Sequence, residues 1–164
     1  MSLNKIFTFE SLPENTEQLK ALPEASLKSP FMTAALVIAA ACSYEKSPEN
    51  SIAMLDFLKG PQSLSGYEKQ FIRDRLRGKG YVARSFFQGT SPENGYEPSR
   101  PFTISVEDNA HSYEEEGYAM LYVKSSGADS PRPIKLRLKA DSEEWYLWEL
   151  ACLSDIRAPR AADF

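Results

Sequence analysis

The stretch from Phe31 to Cys42 constrains the fold more than any other part of the chain. It is twelve residues long, apolar apart from Thr33, and preceded by Ser29-Pro30. A serine cap followed by proline is a helix start, since proline lacks the N–H that would have no partner in the first turn. The run is too short for a membrane span, which requires about 20 residues. A helix running to about Tyr44 and apolar around most of its circumference leaves no face for water, so it belongs in the middle of a domain. Its alanines allow close approach by neighbouring elements.

The surrounding first half also reads as helical. Asn15 or Thr16 caps a short helix through Leu22, stopped by Pro23. Ser47-Pro48 repeats the start signal, and Ile52, Leu55, Phe57 and Leu58 form an apolar stripe up to a stop at Gly60-Pro61. Ser65 with Glu68 three residues later is a capping box. The helix it opens carries Tyr67, Phe71, Ile72 and Leu76, with Gly78 past its end.

The second half changes period from 3.6 to 2. Tyr81–Phe87 reads as a strand, Gln88–Pro101 as a loop, and Phe102, Ile104 and Val106 alternate with polar neighbours. An acidic turn over Glu107–Glu116 leads into Tyr118–Lys124, which is apolar on both faces and reads as an interior strand. After a loop over Ser125–Pro133, Ile134, Leu136 and Leu138 alternate with Lys135, Arg137 and Lys139. Asp141–Glu144 turns the chain into a last strand over Trp145–Leu153. These connections are too short for crossover helices, so neighbouring strands are antiparallel. The fold class is α+β, with N-terminal helices (about 15–78) packed on a C-terminal antiparallel meander of four to five strands (about 81–156). The 164 residues suit a single domain, with 1–6 and 158–164 expected as loose ends. Ser-Pro-Glu-Asn at 47–50 and again at 91–94 is turn and cap chemistry rather than a duplicated unit.

Composition bounds the function classes. Nineteen basic against twenty-three acidic residues leave a net charge of −4, which removes the general electrostatic case for nucleic acid or anionic membranes but leaves a local basic patch open. Two cysteines and one histidine supply neither a disulfide framework nor the usual material for a metal site, and no cofactor motif is visible. No signal peptide is visible after Lys5, so the expected location is the cytoplasm, with both thiols reduced.

The leading candidate site is a basic stripe. Lys69, Arg73 and Arg77 recur every four residues, within an arc of roughly 80° on a helix, and Lys79 and Arg84 follow. These five are the candidate anchors for an acidic protein or an anionic small molecule; the alternative is a solvated helix face with Glu68 and Asp74 as counter-charges. Lys135, Arg137 and Lys139 form a second basic face, with Tyr118, Met120 and Tyr122 as candidate neighbours. Single-strand nucleic acid binders interleave cations and aromatics in this way, but Glu149 on the same face and the net charge favour a solvated outer face.

Other features favour structural roles. Glu107, Asp108, Asn109 and Glu114–Glu116 lack the alternation and turn glycine of a calcium loop. His111 lies in that same acidic turn. Cys42 and Cys152 sit in apolar segments, as inert buried thiols do. Arg77-Gly78-Lys79-Gly80 follows a helix instead of opening one, which is the wrong geometry for a phosphate loop. Trp145, Tyr146 and Trp148 anchor the last strand, one set of alternating side chains in the core and the other covered or lining a groove.

Several segments resemble a bacterial family catalogued as domain of unknown function 6935: Phe57-Leu58-Lys59-Gly60-Pro61-Gln62, Tyr67-Glu68-Lys69-Gln70-Phe71, Arg73-Asp74-Arg75-Leu76-Arg77-Gly78-Lys79-Gly80-Tyr81, Gly127 through Ile134, and Trp145-Tyr146-Leu147-Trp148-Glu149. The resemblance covers about Phe7 to Pro159. It implies a bacterial, cytoplasmic protein and brings no activity or site residues with it. The expected function is a non-catalytic binding or interaction module that uses the basic helix face. One alternative is a small-molecule-binding cone, cystatin-like or nuclear-transport-factor-like, with Glu149 as the one acid or base named for its cavity. Another is an oligomer-forming domain with the aromatic strand face as its interface.

Overall fold

Local chemistry starts each long helix where the sequence places it. The computed structural model describes residues 2–160. Asn15 caps α1 (Thr16–Lys20) by accepting a hydrogen bond from the Gln18 N–H at 2.9 Å. Ser29 caps α2 (Pro30–Cys42), and Ser47 caps α3 (Pro48–Lys59) through the Asn50 N–H. The capping box of α4 (Gly66–Leu76) is complete: the Ser65 hydroxyl accepts from the Glu68 N–H at 3.0 Å, and the Ser65 N–H donates to the Glu68 carboxylate at 2.9 Å. Gly78 takes a left-handed φ of +69° just past that helix, a conformation that costs most other residues energy.

The sheet is a five-stranded antiparallel meander in the order β1-β2-β3-β4-β5. Its strands are β1 (Asn4–Phe9), β2 (Phe102–Glu107), β3 (Tyr118–Val123), β4 (Arg132–Lys139) and β5 (Glu144–Glu149). Ile104, Val106, Ala119, Leu121, Val123, Ile134, Leu136 and Leu147 bury one face of it. Against that face lies α2, in contact with all five strands and with α3. Every α2 residue from Ala34 to Ala41 is buried, as a helix without a polar face must be. Where the cone reading needs a cavity inside the curled sheet, α2 fills the space.

Four expectations are corrected. Segment 1–6, read as a loose end, instead supplies the first half of β1, which pairs with β2 from Asn4↔Glu107 to Phe9↔Phe102. Ile6, Phe7, Thr8 and Phe9 are strand-favouring types, but the ladder that fixes them as a strand is supplied about a hundred residues away. Tyr81–Phe87, read as a strand, is the short helix α5 (Tyr81–Arg84) and the turn after it. Val82, Ala83, Phe86 and Phe87 are buried at helical spacing, and the sheet has no member between β1 and β2. The last strand ends at Glu149 rather than Leu153; the chain then leaves the sheet, with Cys152 and Leu153 still buried. The tail expected from 158 is anchored at Arg160, whose N–H donates to the Pro92 carbonyl at 2.8 Å; 161–164 lie outside the described residues. No helix among the described residues is long and apolar enough to cross a membrane.

Candidate functional site

The basic stripe divides in three. Lys69 and Arg73 lie exposed on the α4 flank that faces α3, around a shallow depression of about 500 Å³ shared with Tyr44, Ile52 and Asp56. Arg77 caps the helix C-terminus and Lys79 follows, both exposed. None of these four forms an ion pair among the described residues. Arg84 is a different case. Its guanidinium is paired with Glu45 and donates to the Tyr96 and Gly95 carbonyls, at 3.1 and 3.3 Å. The geometry makes Arg84 a clamp between segments, with its donors already engaged. Arg75, on the same helix, lies over the Phe71 ring.

The outer face of the sheet brings the second basic set together with aromatics. The β3–β4 register places Tyr118 opposite Arg137 and Met120 opposite Lys135. The β4–β5 pairing slips between Lys135 and Leu136, so that Lys135 faces Glu149 and Leu136 faces Leu147, with Trp148 as the extra residue. Bulges of this kind re-aim side chains. Trp148 meets Tyr118 edge-to-face, with centroids 5.6 Å apart. Arg137 lies over both rings, 4.9 Å from Trp148 and 5.8 Å from Tyr118, and Lys135 lies 4.8 Å from Tyr118. Lys59, at the end of α3, completes the row 5.4 Å from Trp148.

Lys59 was not among the sequence candidates. Its side chain is only 8% exposed, its ammonium is 2.7 Å from Glu68, and it donates to the Trp148 carbonyl at 3.0 Å. Burial pushes the Glu68 carboxyl upward, but hydrogen bonding to Lys59 and to Ser65 outweighs this and holds it below the usual carboxylate range. Two adjoining depressions meet at Leu147 and Trp148. One, of about 430 Å³, has Lys59, Arg137, Lys139 and Tyr146 on its walls; the other, of about 250 Å³, has Leu64, Tyr67, Phe71, Ile72 and Leu150. Glu149, the acid named for a cone interior, is exposed at the second depression, on the outer side of the sheet. The only local signals for this groove were the aromatic run at 145–148 and the cations on β4.

Several of the remaining candidates are held by protein partners. Asp108 is buried and accepts from the Leu3 N–H at 2.7 Å and the Tyr113 hydroxyl at 3.0 Å. Glu115 pairs with Lys135 at 2.7 Å, and Lys139 with Asp141 at 2.6 Å. No group of three or more potential ligands among the described residues is arranged to hold a metal ion. Burial raises both thiols, that of Cys152 to about 12, so both stay protonated at neutral pH.

His111 Nδ1 lies 2.6 Å from Glu114 in full solvent exposure, and that hydrogen bond and charge raise its pKa above the ordinary 6.5. The pair therefore favours the folded state below pH 6.5, and its contribution fades as pH rises through the raised value. A proton NMR titration is expected to show the single imidazole titrating above 6.5, and Glu114→Gln is expected to bring the midpoint down. An unchanged midpoint in the variant would remove the pairing.

A family model described as a domain of unknown function, DUF6935, matches residues 11–160. No curated protein and no solved structure matches the chain.

Proposed function

The chain belongs to the DUF6935 family, and since that membership assigns no activity, we propose from the chain's own geometry that it is a non-catalytic binding module for an anionic partner. The partner is an acidic protein surface or an anionic small molecule, held by Lys69, Arg73, Arg77 and Lys79. The observation that carries this reading is the exposure of all four cations without an ion pair among the described residues, in a protein of net charge −4. Charges left unpaired on a rigid, capped helix are available to a partner without first breaking an internal contact. Arg84, part of the expected stripe, then acts through the fold by fixing the segments around Glu45 and Tyr96. Both thiols are buried, and this reading gives them no part in the interaction. In this reading the module works in a bacterial cytoplasm, where its two free cysteines stay reduced.

Fluorescence anisotropy with labelled poly-L-glutamate at low ionic strength tests it. The wild-type protein is expected to bind with strong salt dependence, and Arg73→Glu/Arg77→Glu to bind about tenfold more weakly or worse, with unchanged circular dichroism. Equal binding by the two folded proteins would leave the helix face as ordinary solvated surface.

A further inference from the structure

The two depressions around Trp148 differ in chemistry in a way that suits one kind of ligand. The larger has three cations on its walls (Lys59, Arg137 and Lys139) and no carboxylate. Lys59 and Lys139 have carboxylate partners lying outside it, whereas Arg137 has none among the described residues and rests only on the rings of Tyr118 and Trp148. A guanidinium stacked on aromatics is held in place with its in-plane donors still available for a carboxylate. The smaller depression is walled mainly by Leu64, Phe71, Ile72, Leu147 and Leu150, with Glu68 and Glu149 as its only charges. Tyr67 stands over it with 82% of its surface exposed, the most exposed large apolar or aromatic side chain described. Small-molecule sites have this character: a mostly apolar wall, a few convergent polar groups, and a volume of roughly 300–1,000 Å³.

We propose that the groove at Trp148 binds a small amphipathic carboxylate, with its anionic head against Arg137 and Lys139 and its apolar body across Trp148 into the depression under Tyr67. Charge sets the orientation. Glu68 and Glu149 repel an anion from the apolar half, while the basic half attracts it. Trp148, displaced by the bulge, is the wall common to both halves and the point where head and body join. This site shares no residue with the α4 cations and stands or falls independently of them.

The test uses the full chain and decanoate below its micellar concentration, with decylammonium as the chain-matched cation. Calorimetry is expected to show decanoate binding and decylammonium binding at least about tenfold more weakly. In ¹H–¹⁵N spectra, the Trp148 indole resonance, assigned by its loss in Trp148→Phe, should move with decanoate while that of Trp145 stays. Arg137→Gln is expected to weaken decanoate about tenfold. Tyr67→Ser, at an exposed position that leaves the fold intact, should weaken decanoate several-fold and flatten the dependence on chain length. Arg73→Glu/Arg77→Glu should leave decanoate binding unchanged, which separates this site from the helix face. The proposal is overturned if decylammonium binds as well as decanoate, if neither groove variant weakens binding, or if the Trp148 indole does not respond. A dimeric solution mass that falls to that of the monomer in Trp148→Glu would also overturn it, by making the groove a subunit interface.

Discussion

Leu36→Ala is expected to cost about 2–5 kcal/mol of unfolding free energy, read as a lower denaturant midpoint at unchanged slope. Leu36 lies on α2 with no exposed surface, in the core that α2 shares with the strands of the sheet. Truncation removes apolar transfer energy and leaves a cavity that surrounding elements, held by their own ladders and caps, fill only in part. Domains of this kind are stable by about 5–15 kcal/mol, so one such change consumes a large part of the margin. The control is Ile6→Ala on β1, where the side chain is 63% exposed; a change within about 0.5 kcal/mol is expected there. Similar losses at both positions would mean that α2 is not the centre of the core.

Gly60→Ala is expected to cost about 2–4 kcal/mol and to disturb the groove as well. Gly60 ends α3 at φ +83° and ψ −140°, a conformation that side chains other than hydrogen rarely adopt. A Cβ there would also meet the Tyr146 ring at 2.5 Å. The backbone cannot yield easily, because the adjacent Lys59 is tied to Glu68 and to the Trp148 carbonyl. The ring must move, and Tyr146 walls the basic half of the groove. Gly78→Ala is the control for positive φ without a clash: its φ is +69°, but nothing lies within 4 Å of the added atom, so only a backbone cost of about 1–2 kcal/mol is expected. Thermal or chemical unfolding measures the difference, and near-ultraviolet circular dichroism should change for Gly60→Ala alone. Equal costs at the two positions would show that Tyr146 does not pack against the α3 terminus.

Both variants act where distant parts of the chain meet, and the candidate sites follow the same division. The exposed cations of α4 were legible because the capping box and the i, i+4 spacing lie within a single helix. That Arg84 leaves this stripe was not legible, because Glu45 and the Tyr96 carbonyl are brought to it by folding. The cations and alternation of β4 were legible as well. Their union with Lys59 and Trp148 was not: those two residues are 89 positions apart, and the bulge that places Trp148 exists only in the pairing of β4 with β5.

The sequence by itself determined the helix starts at Ser29, Ser47 and Ser65, one further start at Asn15 or Thr16, the burial of α2 and the alternation of β2 and β4. Each of these depends on hydrogen bonds or periodicity within a few residues. Only the tertiary structure decided that Asn4–Phe9 is an edge strand, that Tyr81–Arg84 is helical, and that a basic and an apolar depression meet at Trp148. A short segment has no preferred state strong enough to survive alone; the ladder it joins, or the surface it buries against, selects one. Those partners lie far along the chain, so they are neighbours only in the folded molecule, where the sheet packs against α2.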